Sequence, residues 1–229
     1  MIEKATENFI YHDLGLIDYG QSLVLQKKSV EQIIAGGPST VLFCEHPTVL
    51  TLGRLGTNDN ILYPLDELKK HRVHVVRIDR GGEVTLHAPG QLVIYPIINL
   101  NNFGRDLKIY LYKLEQAAID LLQDFDILAE RIEGQRGIWV KENKLVSIGI
   151  GVRKWVAYHG LGINVNTDLK LFSMIKPCGV DVQMTSMQKI LGHKVDMDKV
   201  KTVFKKHFEG FPLLAGEPRH FLQKGNEEK

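Results

Sequence analysis

Cysteine is scarce in this chain: Cys44 and Cys178 are the only two in 229 residues. Two cysteines make no disulfide framework and leave no cysteine cluster for structural zinc. The histidines at His46, His71, His74, His87 and His159 follow no metal-binding spacing. His71 and His74 could ligate from a helix, but Val73, Val75 and Val76 favour a strand, which turns the two rings to opposite faces. No metal and no cofactor is expected. Long apolar runs are also missing, so no membrane span is expected. The opening Met-Ile-Glu-Lys-Ala-Thr-Glu has no apolar core and does not read as a secretory signal, which makes cytoplasmic residence the default. Charge imbalance is slight, at a formal +2, and no basic tract is interleaved with stacking aromatics. Nucleic acid is therefore set aside as a partner. There is no internal repeat and no low-complexity tract.

What remains is an ordinary soluble composition, 44% hydrophobic and 24% charged, long enough for one full core. Residues 1–212 read as one α/β domain, a mixed sheet packed with helices. Residues 213–229, with Gly216, Pro218 and Gly225, read as a loosely attached C-terminal tail. Tyr19 to Ala35 predicts a helix stopped by Gly36-Gly37-Pro38. Strands are expected at 40–44, 73–78 and 92–98, with Pro96 marking a bulge or edge. Leu107, Leu111, Leu114, Ala118, Leu121 and Phe125 form one apolar stripe on a helix over 106–125. A hairpin is expected over 137–152 with Glu142-Asn143 at its turn, then a strand over 155–165 beside it. Short helices are expected at 185–191 and 197–208.

The most informative stretch runs from Arg80 through Gly81, Gly82, Glu83, Val84, Thr85, Leu86 and His87 to Gly90 and Gln91. Paired glycines let the backbone bend sharply and approach a ligand closely. As a strand, residues 83–87 place Glu83, Thr85 and His87 on one face. Downstream come Lys144 to Gly149, Tyr158 to Val165, and a cysteine held between Pro177 and Gly179. The Pro-Cys-Gly setting suits a rigid exposed loop, and a nearby cation would favour the nucleophilic thiolate. Cys44, ending an apolar run, reads as buried.

Taken together, four ordered segments resemble the lipoyl(octanoyl) transferase family. They are Cys44 to Pro47 with Thr51 to Arg54, Arg80 to Gln91 running on to Tyr95-Pro96, Gly137 to Val140 with Lys144 to Gly149, and His159 to Val165 with Pro177 to Gly179. The resemblance spans about residues 10 to 210. It implies the fold of the biotin and lipoate ligase catalytic domains. It also implies transfer of an octanoyl group from octanoyl-acyl carrier protein to a lysine of a lipoyl domain, the first step of endogenous protein lipoylation. The implied acceptors are the lipoyl domains of 2-oxoacid dehydrogenase complexes and the glycine cleavage H protein. By position, Cys178 is the acyl-accepting nucleophile and Lys144 its activator. The acyl pocket falls on Arg80 to His87, on Ser147, Ile148 and Gly149, and on Gly160, Leu161 and Gly162. The chain departs from the family at Leu86, Ala88 and Gly162, where tyrosine, glycine and alanine are common, so chain-length preference is left open.

The implied reaction is ping-pong acyl transfer. Lys144 as a cation would favour the Cys178 thiolate, and as a neutral amine would accept a proton. His87 and His159 are alternative bases, and a backbone N–H near Cys178-Gly179 is the candidate oxyanion donor. An ATP-dependent lipoate or biotin ligase, a non-catalytic acyl-binding protein and a thioesterase are the competing functions. From Ser186 to His207, six lysines stand against Asp196 and Asp198. This is either a solvated helix face or a patch that steers an acidic carrier protein. Cys178→Ser should abolish a hydroxylamine-sensitive adduct formed from an octanoyl thioester, and Cys44→Ser should keep it. Intact-mass measurement on both variants is the check, and equal labelling of Cys178→Ser would refute the nucleophile assignment.

Overall fold

The computed structural model describes residues 9–176 and 182–209, with only the backbone at Phe103. The boundary expected at residue 212, the tail and Cys178 lie outside the described residues. In chain order the elements are β1 (Ile10–Leu16), α1 (Tyr19–Ile34), β2 (Thr40–Glu45), β3 (Val49–Leu52), α2 (Leu65–Lys70), β4 (His74–Arg77), β5 (Val84–His87), β6 (Gln91–Asn99), α3 (Leu107–Gln123), β7 (Glu130–Ile132), β8 (Gln135–Val140), β9 (Asn143–Arg153), β10 (Val156–Asn164), α4 (Met187–Leu191) and α5 (Met197–Glu209).

Seven strands form a sheet in the order β1-β2-β6-β10-β9-β8-β7, and three form a second sheet, β4-β3-β5. The β1/β2 and β3/β4 pairs are parallel and the others antiparallel. Strands of the large sheet alternate between its two faces. On one face Leu92, Ile94, Leu161 and Ile163 pack with Leu114 and Leu121 of α3 and Phe204 of α5. On the other, Val93, Tyr95 and Ile97 meet Val30 and Ile33 of α1. The small sheet has its own apolar cluster, with Leu50, Leu52, Val84 and Leu86. The mixed sheet with helices is the architecture expected from the sequence.

Caps set the helix starts. Asp18 accepts from the Gln21 N–H, Asp106 from Lys108 and Ile109, and Ser186 from Lys189. Gly36 lies just past α1 with φ 96. The β8/β9 turn falls at Lys141-Glu142, one residue earlier than expected, with Lys141 at φ 56. Of the basic segment, Lys201 bonds Asp13 and Asp198, and Lys206 bonds Asp124. Lys199 and Lys205 lie over the rings of Phe125 and Tyr11. These contacts favour a helix face fastened to the fold over a steering patch.

Pro96 is not at an edge: β6 lies between β2 and β10. Its missing N–H is absorbed on the β10 side, where no residue pairs with Tyr95, Pro96 or Ile97. Opposite Pro96, His159 takes a left-handed φ of 58 and gives its N–H to Gln26 Oε1 of α1 at 3.0 Å. A Cβ on the next residue, Gly160, would overlap the Ile94 carbonyl and sit 2.7 Å from Pro96 Cδ. Gly160→Ala should therefore cost ~2 kcal/mol or more, as overpacking against backbone does. Urea unfolding should show a lower midpoint with an unchanged slope.

Candidate active site

A cavity of about 280 Å³ lies on the α1 side of the large sheet. That is near the lower end of ordinary ligand pockets, roughly 300–1,000 Å³. Its floor is where β9 and β10 carry almost no side chain: Gly149 pairs with Gly160, and Ser147 with Gly162. Its roof is the Arg80–His87 run, and Tyr19, Val93 and Tyr95 close it further.

The roof is pinned from both sides. The Gly81 N–H donates to the Ile150 carbonyl at 2.8 Å, laying the turn onto β9. A Cβ at Gly149 would come to 3.0 Å from Arg80 Cδ and from the Gly81 carbonyl oxygen, so this approach needs glycine there. Arg80 is buried. Its Nη2 donates to the Thr51 carbonyl at 2.7 Å and to Thr51 Oγ1 at 2.9 Å. A cation spent on backbone and hydroxyl oxygens holds the loop in shape. Gly53 and Arg54 bond the carbonyls of Glu83 and Arg80, which accounts for the Thr51 to Arg54 segment.

Lys144 also opens onto the cavity, although only 4% exposed. It sits at a β-bulge: Trp139 pairs with Lys144 but Ile138 pairs with Val146, leaving Leu145 extra. The bulge turns the side chain over Gly137, whose hypothetical Cβ would lie 2.7 Å from Lys144 Cε. The ammonium stands 5.4 Å from the Trp139 ring centroid, a cation–π distance. The backbone of Lys144 joins the chain beyond Cys178: its N–H donates to the Gln183 carbonyl, and its carbonyl accepts from Thr185. On the other side of residues 177–181, the Lys176 N–H donates to the Asn60 carbonyl at 2.8 Å.

Two buried histidines face the same cavity with different partners. His159 Nε2 lies 3.0 Å from Asp79 Oδ1, and Tyr158 donates a short hydrogen bond to Asp79 Oδ2. Burial alone would raise the Asp79 carboxyl, but these two donors outweigh it and hold it below the usual carboxylate range. Burial lowers His159 despite that carboxylate. Among the described residues His87 has no carboxylate partner. Its Nδ1 lies 2.7 Å from Gln91 Oε1, and its ring stacks on Tyr19 at 6.0 Å and 14°. Burial, reinforced by His46, pushes it down to about 3. His46 bonds the Ile17 carbonyl and Tyr95 OH and is itself lowered by burial.

Of the fourteen expected pocket residues, Leu86 is the one that does not line the cavity. Strand alternation turns it into the core of the small sheet, where it is fully buried. The departure from the family at that position therefore lies in packing. Tyr19, Arg136 and Leu111 line the cavity without having been expected there, and Tyr95, quoted only at the end of the Arg80 segment, lines it too. Leu111 was absorbed into the apolar stripe of α3. Tyr19 had one signal, its place just after the Asp18 cap, where a helix start points at the sheet. Cys44 is buried and its thiol is pushed up by burial. His71 caps α2 and His74 begins β4; among the described residues no cluster could hold a metal. Among them, too, no helix is long and apolar enough to cross a membrane.

Comparison with known proteins gives a consistent result. The sequence profile of the lipoyl protein ligase A/B catalytic domain matches residues 18–209. An octanoyltransferase of Syntrophotalea carbinolica is 46% identical over 86% of this chain and 91% of its own. One of Pelobacter propionicus is 41% identical over 88% and 94%, and one of Geobacter metallireducens 41% over 92% and 95%. Among solved structures, lipoate-protein ligase A bound with ATP superposes with a TM-score of 0.71 at 16% identity, covering 88% of this chain and 83% of that one. Biotin protein ligase from Aquifex aeolicus, in complex with biotin and ATP, gives 0.53 at 18% identity, covering 88% and 68%. The two structural likenesses establish the shared fold.

Filling the floor tests the cavity as the apolar binding volume. Ser147→Leu should weaken binding of an eight-carbon acyl ligand about tenfold, the equivalent of ~1.4 kcal/mol, and affect a two-carbon one little. Titration of both ligands by calorimetry decides it.

Proposed function

The chain belongs to the lipoyl protein ligase A/B catalytic domain family, alongside octanoyltransferases that match it over most of their length, and we propose that it carries an octanoyl group from acyl carrier protein to a lipoyl-domain lysine through a thioester on Cys178. It is an acyltransferase of protein lipoylation. Cys178 thiolate attacks the carbonyl of the donor thioester, and the carrier thiol leaves. The exchange joins one thioester to another and needs little driving force. The acceptor lysine amine then attacks the acyl-enzyme, forming the amide and releasing the thiolate, and this step is downhill. Acceptors of this chemistry are the lipoyl domains of 2-oxoacid dehydrogenase complexes and the glycine cleavage H protein. A reducing cytoplasm suits a reaction that depends on a free thiol.

One observation carries the reading: a buried lysine opens onto an apolar, glycine-floored cavity, and its backbone is bonded to residues 183 and 185, just past Cys178. A cation in such a place favours a thiolate beside it. As the amine, it takes the proton that the attacking nucleophile loses. The cavity is the place for the acyl chain, with Gly149, Gly160 and Gly162 as its floor and Gly81 to Thr85 with His87 above.

Lys144→Met should slow both half-reactions by about 100-fold or more, the range for losing an acid–base group. Lys144→Arg should also be slow, since arginine keeps charge but gives up no proton. Single-turnover acylation by octanoyl-acyl carrier protein without ATP, followed by intact mass, measures both. Full activity in Lys144→Arg would leave Lys144 a purely electrostatic role, and a requirement for ATP would point to ligase chemistry.

A further inference from the structure

His87 is followed by Ala88-Pro89-Gly90-Gln91, and the Gln91 N–H donates to the Ala88 carbonyl. Proline second and glycine third, with Gly90 at φ 84, is the arrangement of a type II turn. A Cβ on Gly90 would lie 2.6 Å from the Asn166 carbonyl oxygen, so the turn is closed to other residues. It returns the chain so that the Gln91 side chain meets the ring of His87.

The orientation of the Gln91 amide follows from its other contacts. One end lies 3.2 Å from the Leu86 carbonyl and 2.9 Å from Asn164 Oδ1. A backbone carbonyl only accepts, so that end is the NH₂ group. Asn164 is oriented in the same way, because its other end faces the Thr185 carbonyl at 3.0 Å. Two backbone carbonyls therefore fix two side-chain amides. The Gln91 oxygen is left facing His87 Nδ1, and that nitrogen must carry the proton. Among the described residues nothing bonds His87 Nε2, and the ring lines the cavity. Gln91 and Asn164 are each 1% exposed, so water does not compete for these bonds.

We propose that Gln91 and Asn164 are positioning residues that hold His87 in its Nδ1–H tautomer, with Nε2 presented to the cavity as a hydrogen-bond acceptor for the attacking nucleophile. Groups packed around the ring include Tyr19 of α1, His46 between β2 and β3, Arg80 and Gln91. None of these is a carboxylate, whereas His159 has Asp79. The amide partner sets the tautomer, and its hydrogen bond favours the protonated ring less than burial disfavours it. His87 thus stays neutral and aligns the nucleophile's N–H, pointing its lone pair at the acyl carbon, while the proton goes elsewhere. The network continues from Asn164 through the Thr185 carbonyl to the Thr185 N–H, which donates to Lys144. One bonded set thus spans the acceptor and the lysine.

The identity of the nucleophile rests on the acyl-transfer reading; the tautomer does not. ¹⁵N-histidine NMR of the whole protein should show His87 protonated at Nδ1 and bare at Nε2 between about pH 5 and pH 8. Gln91→Leu should release the ring to mixed tautomers and slow transfer from acyl-enzyme to lysine roughly tenfold, the kinetic weight of one buried hydrogen bond. Gln91→Glu, which still accepts from Nδ1, should keep the tautomer and bring a His87 titration into the neutral range. A parent protein protonated at Nε2 overturns the proposal even if Gln91→Leu does not fold. An unchanged tautomer in Gln91→Leu, with equal slowing in both variants, overturns it as well by reducing Gln91 to a packing residue. Absence of any acyl adduct on Cys178 would refute the acyl-transfer reading and leave the tautomer result standing by itself.

Discussion

Everything at this site depends on one backbone lying against another with no side chain between. Gly149 and Gly160 face each other across β9 and β10, and the Arg80–Gly81 turn rests on Gly149. A side chain at Gly149 would press on the Arg80–Gly81 roof, and one at Gly160 would run into β6 at Ile94 and Pro96. The left-handed bend at His159 belongs to the same constraint. It diverts one N–H to Gln26 of α1 and lets β10 pass the donor-less Pro96. Such strain at a non-glycine residue persists only where the surroundings over-determine it. Here a helix, a proline and a carboxylate do so together.

Around that floor the buried polar side chains already have partners. Arg80 is spent on Thr51, His46 on Ile17 and Tyr95, His159 on Asp79, and His87 on Gln91. Burial favours the neutral imidazoles. Lys144 enters the same volume from a bulge over Gly137. A hydrogen bond or charge met among such buried, already partnered groups is stronger than in water, because the surrounding dielectric is lower.

Much of this was legible from residues alone. Periodicity located α3, whose apolar stripe must be buried, and the Gly36-Gly37-Pro38 stop marked the end of α1. Glycine and proline located the turns. The cavity-lining segments were legible as motifs, since loops that approach a ligand carry unusual residue types. Leu86 was not, because period-2 alternation, read correctly for His87, also turns Leu86 the opposite way. Pro96 was read as a bulge or an edge, where strand prolines usually sit, and only the pairing of β6 on both sides shows a central strand with a local break. Tyr19, Tyr95 and Leu111 reach the cavity from three separate elements, and for Leu111, one residue of the α3 apolar stripe, nothing local distinguishes it from core.

By itself the sequence determined the reaction class it resembles, the helix and turn positions, and the residue types available for chemistry. These depend on local propensity and on composition, which need no partner to be read. Tertiary structure alone decided that Gly149 meets Gly160 and that Leu86 packs into the second core. It also decided that Lys144 is buried against Trp139, and that Gln91 rather than a carboxylate faces His87. Each of these is a contact between segments distant in the chain or folded back by a turn. Hydrogen-bond partner, burial and tautomer come into being only when those segments meet.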